Sequence, residues 1–98
     1  MSFEKPELKN PLEEKPTEGF FKDFNREQLA DIRNTITEDS RLSEYYKLTK
    51  NRLIKESGLQ IIHRGNILNE MYKTLLSGGD IENSLARKLE SIAAAVRN

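Results

Sequence analysis

From Asn25 onward, apolar residues recur at α-helical spacing, and polar start and stop signals divide the chain into helix-length segments. Asn25 can cap a first helix, because Gln28 follows three residues later and completes a capping-box pattern. The apolar residues of this helix fall at spacings of three and four on one face: Leu29, Ile32 and Ile36. Asp39 or Ser40 is expected to start the second helix. These signals predict an all-α fold.

The second helix is expected to run to about Ser57, where Gly58 can adopt the left-handed conformation that ends a helix. Its apolar stripe is made of residues that lie within roughly 80° of one another on a helical wheel: Leu42, Tyr45, Tyr46, Thr49 and Leu53. Leu48 and Ile54 lie well off this stripe, on opposite sides. They indicate either a helix that packs on more than one face or a contact with another chain.

Residues 59–63 allow two interpretations, a short extended segment or the beginning of a third helix. We expect this helix to begin between Gln60 and Asn66. Its later part has a broad apolar face formed by adjacent pairs: Ile67, Leu68, Met71, Tyr72, Leu75 and Leu76. The sequence Ser-Gly-Gly at 77–79 is expected to end it.

A last helix is expected to follow, with Asp80 as its cap. It carries a narrow apolar stripe that resembles a short coiled-coil seam: Ile81, Leu85, Leu89, Ile92 and Val96. Because only about four residues join them, the last two helices are expected to form an antiparallel hairpin. The whole pattern therefore predicts a small four-helix bundle over residues 25–98.

Residues 1–24 differ from the rest of the chain. They contain all three prolines, which are Pro6, Pro11 and Pro16, among many charged residues. This composition predicts a flexible or extended N-terminal arm. The arm ends in three aromatic residues, Phe20, Phe21 and Phe24. Two interpretations of these rings stay open: the arm folds back onto its own bundle, or it docks on another protein.

Composition excludes several classes of protein. The formal net charge is zero, so no global attraction to nucleic acid or to an anionic membrane is implied. The absence of cysteine excludes a disulfide scaffold and cysteine-ligated metal sites. No apolar run approaches the length of a membrane span, and the N-terminus lacks the apolar core of a signal peptide. We therefore expect a soluble, intracellular protein of the cytoplasm.

Catalytic and metal-binding patterns are weak. The only histidine, His63, adjoins two isoleucines and Arg64, which favours a boundary or surface position. The acidic pairs lack the alternating spacing of a calcium loop, and residues 77–80 are expected to form a helix stop and a cap rather than a phosphate-binding loop. We predict no catalytic, cofactor-binding or metal-binding residue, and no small-molecule substrate is evident.

One segment of the second helix is basic. Four cationic residues occur there without an intervening acid, and a fifth follows further along the chain: Lys47, Lys50, Arg52, Lys55 and Arg64. Tyr45 and Tyr46 could stack on bases, but on a helical wheel they point away from the basic face. The basic residues form either a solvated helix face or a phosphate-binding surface.

The sequence therefore predicts a non-enzymatic protein–protein interaction module, a small accessory or adaptor subunit that binds another protein or a second copy of itself. The residues expected to form the interface are those that fit least well into the predicted packing of the bundle: Phe20, Phe21, Phe24, Leu48 and Ile54. The alternative is a nucleic-acid-associated accessory factor, such as a replication or transcription subunit, that contacts phosphates through the basic residues named above.

Overall fold

The computed structural model describes residues 19–97 and forms an all-α bundle of four helices. These helices are α1 (Arg26–Ile36), α2 (Ser40–Ser57), α3 (Arg64–Leu76) and α4 (Asp80–Arg97). Each helix contacts the other three. The short connection between α3 and α4 makes them an antiparallel hairpin. The predicted fold class is confirmed.

The local signals that bound the first two helices act as the sequence predicts. The Asn25 side chain accepts a hydrogen bond from the Gln28 N–H at 2.8 Å, and the Gln28 side chain accepts one from the Asn25 N–H at 3.0 Å. The Asp39 carboxylate accepts the N–H of Leu42 at 2.9 Å. Gly58 ends α2 with a φ of 75°, a left-handed conformation that glycine adopts without a steric penalty.

Residues 59–63 connect α2 to α3 and form neither helix nor strand. Ile62 is buried and anchors this connection to the core. The helix begins at Arg64, inside the interval that the sequence predicts. His63 caps it, because its Nδ1 atom accepts the Gly65 N–H at 2.9 Å.

Two expectations for α4 are wrong in detail. Asp80 is the first residue of the helix rather than its cap, and the Gly79 carbonyl accepts the Asn83 N–H at 2.7 Å. The buried face is Ala86, Leu89 and Ala93, whereas Ile81 is 65% exposed. Leu85, Ile92 and Val96 are half-buried at the flanks. Because alanine lets helices approach closely, Ala86 and Ala93 share the centre of the contact with Leu89, and the other large apolar residues lie at its edges.

Polar contacts on the surface link the helices. Glu82 of α4 accepts hydrogen bonds from the Tyr45 hydroxyl and, at 3.2 Å, from Arg41. The Asp39 carboxylate pairs with Lys88 of α4. The Leu42 N–H and the Lys88 ammonium together hold the pKa of Asp39 below its ordinary value, since both favour the carboxylate.

The end of the predicted arm is part of the packed structure. Residues 19–24 form a turn in which the Lys22 N–H donates to the Gly19 carbonyl at 3.2 Å. The Phe21 N–H donates to the Asn69 side chain of α3 at 2.9 Å. Phe21 and Phe24 are buried in the core. Packing therefore begins before the predicted boundary at residues 24 and 25, and the rest of the arm, residues 1–18, lies outside the described residues.

Candidate functional site

The residues predicted to bind another protein fall into two groups. Phe21 and Phe24 are core residues, and Ile54 is half-buried against the core. Phe20 is 38% exposed, although its ring stacks on Tyr72 with centroids 4.8 Å apart. Of the two interpretations of the arm, folding back is therefore the one that the structure supports for Phe21 and Phe24.

Leu48 lies on the outer face of α2 and is 58% exposed. It lines a shallow depression of about 280 Å³, which we call the Leu48 depression. Its other lining residues are polar or charged: Ser40, Ser43, Glu44, Lys47 and Asn51. A single apolar side chain thus lies among polar neighbours on a surface that faces away from the core.

The five residues predicted to contact phosphates do not share one surface. Arg52 forms an ion pair with Glu70 of α3 at 3.1 Å. Lys47 lies at the Leu48 depression, and Lys55 is exposed. Lys50 and Arg64, by contrast, line the same cavity. The structure brings two of the five together and separates the others.

This cavity lies where α1, α2 and the beginning of α3 meet, and its volume is about 420 Å³. Four cationic residues line it: Arg26, Arg33, Lys50 and Arg64. We call it the cationic cavity. Sequence reasoning missed Arg26 and Arg33. They stand about two turns apart, on one side of α1, but this spacing alone does not reveal that α1 adjoins Lys50.

No acidic side chain among residues 19–97 lines the cationic cavity. In this part of the chain, ion pairs involve other cations: Arg41, Arg52, Lys73 and Lys88. The zero net charge of the chain therefore hides a local concentration of positive charge. Such a concentration in a concave surface produces a positive potential that attracts anions.

His63, Tyr46 and Gln60 also line the cavity. Burial lowers the pKa of His63, and the charges of Arg26 and Arg64 lower it further. Burial raises the pKa of the Tyr46 hydroxyl, although Arg64 and Arg33 oppose this shift. Both groups are therefore neutral near pH 7, and the charge of the cavity comes from its arginines and lysine.

The floor of the cavity is apolar. Leu29, Ile62 and Ile67 are buried and line it, and Ile61 lies at its edge with its side chain 67% exposed. The site therefore combines cations at its walls with an apolar base. That combination suits a ligand with both anionic and apolar parts.

Acidification below pH 6.5 is expected to destabilise the fold through His63. The pKa of His63 in the folded chain lies below its ordinary value of 6.5, so the unfolded chain takes up the proton more readily. Stability is therefore fully present above pH 6.5 and is lost as the pH falls below that value. Protonation of Nδ1 also removes the cap on the Gly65 N–H. The measurement is the thermal midpoint between about pH 7.5 and 5.5.

His63→Asn is the matched control for this prediction. Asparagine caps a helix well but does not titrate. The thermal midpoint of the variant should change less over this interval than that of the unaltered chain. Equal changes in the two proteins would show that His63 is not the group responsible.

Neither a metal site nor a membrane-spanning helix is present among residues 19–97. The acidic residues and His63 within residues 19–97 form no group of three that could hold a metal ion. None of the four helices in that range is long and apolar enough to span a membrane. Comparison of the chain with protein-family models, curated proteins and solved structures gives no match. The Leu48 depression and the cationic cavity are therefore the two candidate sites of this chain.

Proposed function

We propose that this chain is a non-enzymatic accessory or adaptor subunit that binds a helix of another protein at the Leu48 depression. The observation that supports this proposal is the exposure of Leu48 on a helix whose opposite face is buried. An apolar centre with a polar edge is the usual anatomy of a protein–protein contact. A partner helix laid along α2 would cover Leu48 and leave Ser43, Glu44 and Asn51 at the rim.

The exposed positions carry this proposal. Leu48 and Phe20 present apolar surface to solvent, whereas Phe21, Phe24 and Ile54 already have contacts within the chain. Replacing the last three would disturb the fold first and binding only as a consequence. A soluble, intracellular location remains part of the proposal.

Leu48→Ser is expected to weaken binding to the partner by about tenfold or more, because a buried leucine contributes about 1.5–3 kcal/mol. The free energy of unfolding should change by less than about 0.5 kcal/mol, since the side chain lies on the surface. A photoreactive amino acid at position 48 would first identify the bound protein. Calorimetric titration of that purified protein would then give the affinity, and light scattering over a concentration series would detect self-association.

Ile81→Ser provides the control, because Ile81 is similarly exposed but lies on α4. It should leave the affinity unchanged. If Leu48→Ser and Ile81→Ser weaken binding equally, the depression is not the contact. If Leu48→Ser abolishes a dimer, the partner is a second copy of this chain rather than a different protein.

A nucleic-acid-associated accessory factor is the second candidate, and the placement of Lys50 and Arg64 in one cavity favours it. Arg26 and Arg33 add to the same positive surface. Against it, Arg52 is paired with Glu70 and Lys47 lies at the Leu48 depression, so the basic residues do not form one continuous track. Oligonucleotide binding that falls steeply with added salt would distinguish this candidate from the first.

A further inference from the structure

The cationic cavity is a concave space, not a flat charged face. Its cations come from three separate parts of the chain: Arg26 and Arg33 from α1, Lys50 from α2, and Arg64 from the beginning of α3. We propose that this cavity binds a small molecule that carries several linked phosphate groups, of the nucleoside polyphosphate class. This inference is independent of the Leu48 depression and concerns different residues.

The electrostatic potential of the cavity favours an anionic ligand. The four cations line one space, and no acid among residues 19–97 lines it with them. Like charges held around a single concave space repel one another, and the attraction of each cation to an anion placed between them offsets that repulsion. Arginine also offers paired N–H groups that match the geometry of a phosphate. A chain of linked phosphates supplies several negative charges in a compact volume.

The N-termini of α1 and α3 lie beside the cavity. The first residue of α1, Arg26, and the first residue of α3, Arg64, both line the cavity. Helix N-termini carry partial positive charge and favour nearby anions. Two helix N-termini therefore adjoin the cavity, although the Asn25 and His63 side chains already accept one N–H group of each helix. The lowered pKa of His63, to which Arg26 and Arg64 contribute, is consistent with positive potential at this position.

The size and shape of the cavity suit a small molecule. The volume of about 420 Å³ lies within the range of small-molecule sites, roughly 300–1,000 Å³. Ile61, whose side chain is 67% exposed at the edge of the cavity, offers an apolar surface against which a planar base can lie. A nucleic-acid strand needs instead a groove of cations that follows its backbone. The separation of Lys47, Arg52 and Lys55 from the cavity disfavours such a groove.

The test is calorimetric titration of the full chain with inorganic triphosphate, ATP, a single-stranded oligonucleotide and sulfate at matched ionic strength. We expect saturable binding of triphosphate and of ATP at one site per chain, with tighter binding of ATP because its base can lie against the exposed Ile61. Arg33→Glu and Lys50→Glu should each weaken this binding by about tenfold or more, because each reverses a charge-assisted contact. Both side chains are exposed, so the two variants should fold.

Lys55→Glu is the matched control, because it makes the same charge change on α2 outside the cavity. It should alter the affinity by less than about threefold, the residual effect of net charge at a distance. Equal weakening by Lys55→Glu and Lys50→Glu would overturn the proposal, as would triphosphate and ATP that bind no better than sulfate. Binding of the oligonucleotide alone would also overturn it, in favour of a nucleic-acid surface. Circular dichroism of each variant verifies that the helices are intact.

Discussion

Phe21→Ala is expected to lower the free energy of unfolding by about 3–5 kcal/mol, the usual cost of deleting a buried aromatic ring. Phe21 is fully buried, and the centroid of its ring lies 5.4 Å from the ring centroid of Phe24 and 6.4 Å from that of Tyr72. The Phe21 N–H donates a hydrogen bond to the Asn69 side chain, which holds the turn of residues 19–24 against α3. Since a small domain has only about 5–15 kcal/mol of stability in total, this loss removes a large fraction of the stability of the chain.

Phe20→Ala is the matched control, because it removes the same ring from the neighbouring position. Phe20 is partly exposed and stacks on Tyr72, so its loss should cost about 0.5–1.5 kcal/mol. Urea denaturation followed by circular dichroism measures both values. Equal effects of the two substitutions would contradict the packing of residues 19–24 against the bundle.

Leu89→Ala is expected to cost about 2–5 kcal/mol, because Leu89 is fully buried at the centre of the α4 contact. Its neighbours on the buried face, Ala86 and Ala93, are small. They have no side chain long enough to fill the cavity that the substitution creates. For a domain of this size, the loss corresponds to a fall in the thermal midpoint of about 4–8 °C per kcal/mol.

Ile81→Ala tests the orientation of the same helix. Sequence periodicity assigns Ile81 and Leu89 to one stripe, whereas the structure leaves Ile81 largely exposed. Its substitution should therefore change the free energy of unfolding by less than about 0.5 kcal/mol. A cost for Ile81→Ala that approaches that of Leu89→Ala would mean that α4 is rotated relative to the structure described above. Thermal and urea unfolding of the two variants, measured side by side, decide between the two orientations.

The sequence predicted the termini of the first two helices well, because each of these termini depends on residues a few positions apart. The capping box of Asn25 and Gln28, the Asp39 cap and the left-handed Gly58 are all local arrangements. For α3 the sequence indicated only that the helix begins between Gln60 and Asn66, and the capping role of His63 became evident from the structure. Local hydrogen bonds of this kind form in the same way whatever packs around them.

The orientation of α4 could not be predicted from its own residues. Several apolar faces of this helix are compatible with its periodicity, and its neighbours determine which of them is buried. The alanines permit a closer approach than the isoleucines, so the buried face shifts towards Ala86 and Ala93. The packing of Phe20, Phe21 and Phe24 could not be predicted from local sequence either. The hydrogen bond from the Phe21 N–H to the Asn69 side chain joins residues that are distant in sequence.

For the candidate sites too, some features follow from the sequence and others only from the tertiary structure. The sequence by itself determined the four helices, the caps of the first two and the presence of apolar and basic positions off the buried stripes, such as Leu48 and Lys50. Only the tertiary structure brought Arg26 and Arg33 beside Lys50 and Arg64, and only it separated Arg52 from them through the ion pair with Glu70. The physical reason is that helix formation depends on short-range periodicity and capping, whereas a site shared by three helices depends on how their faces pack together.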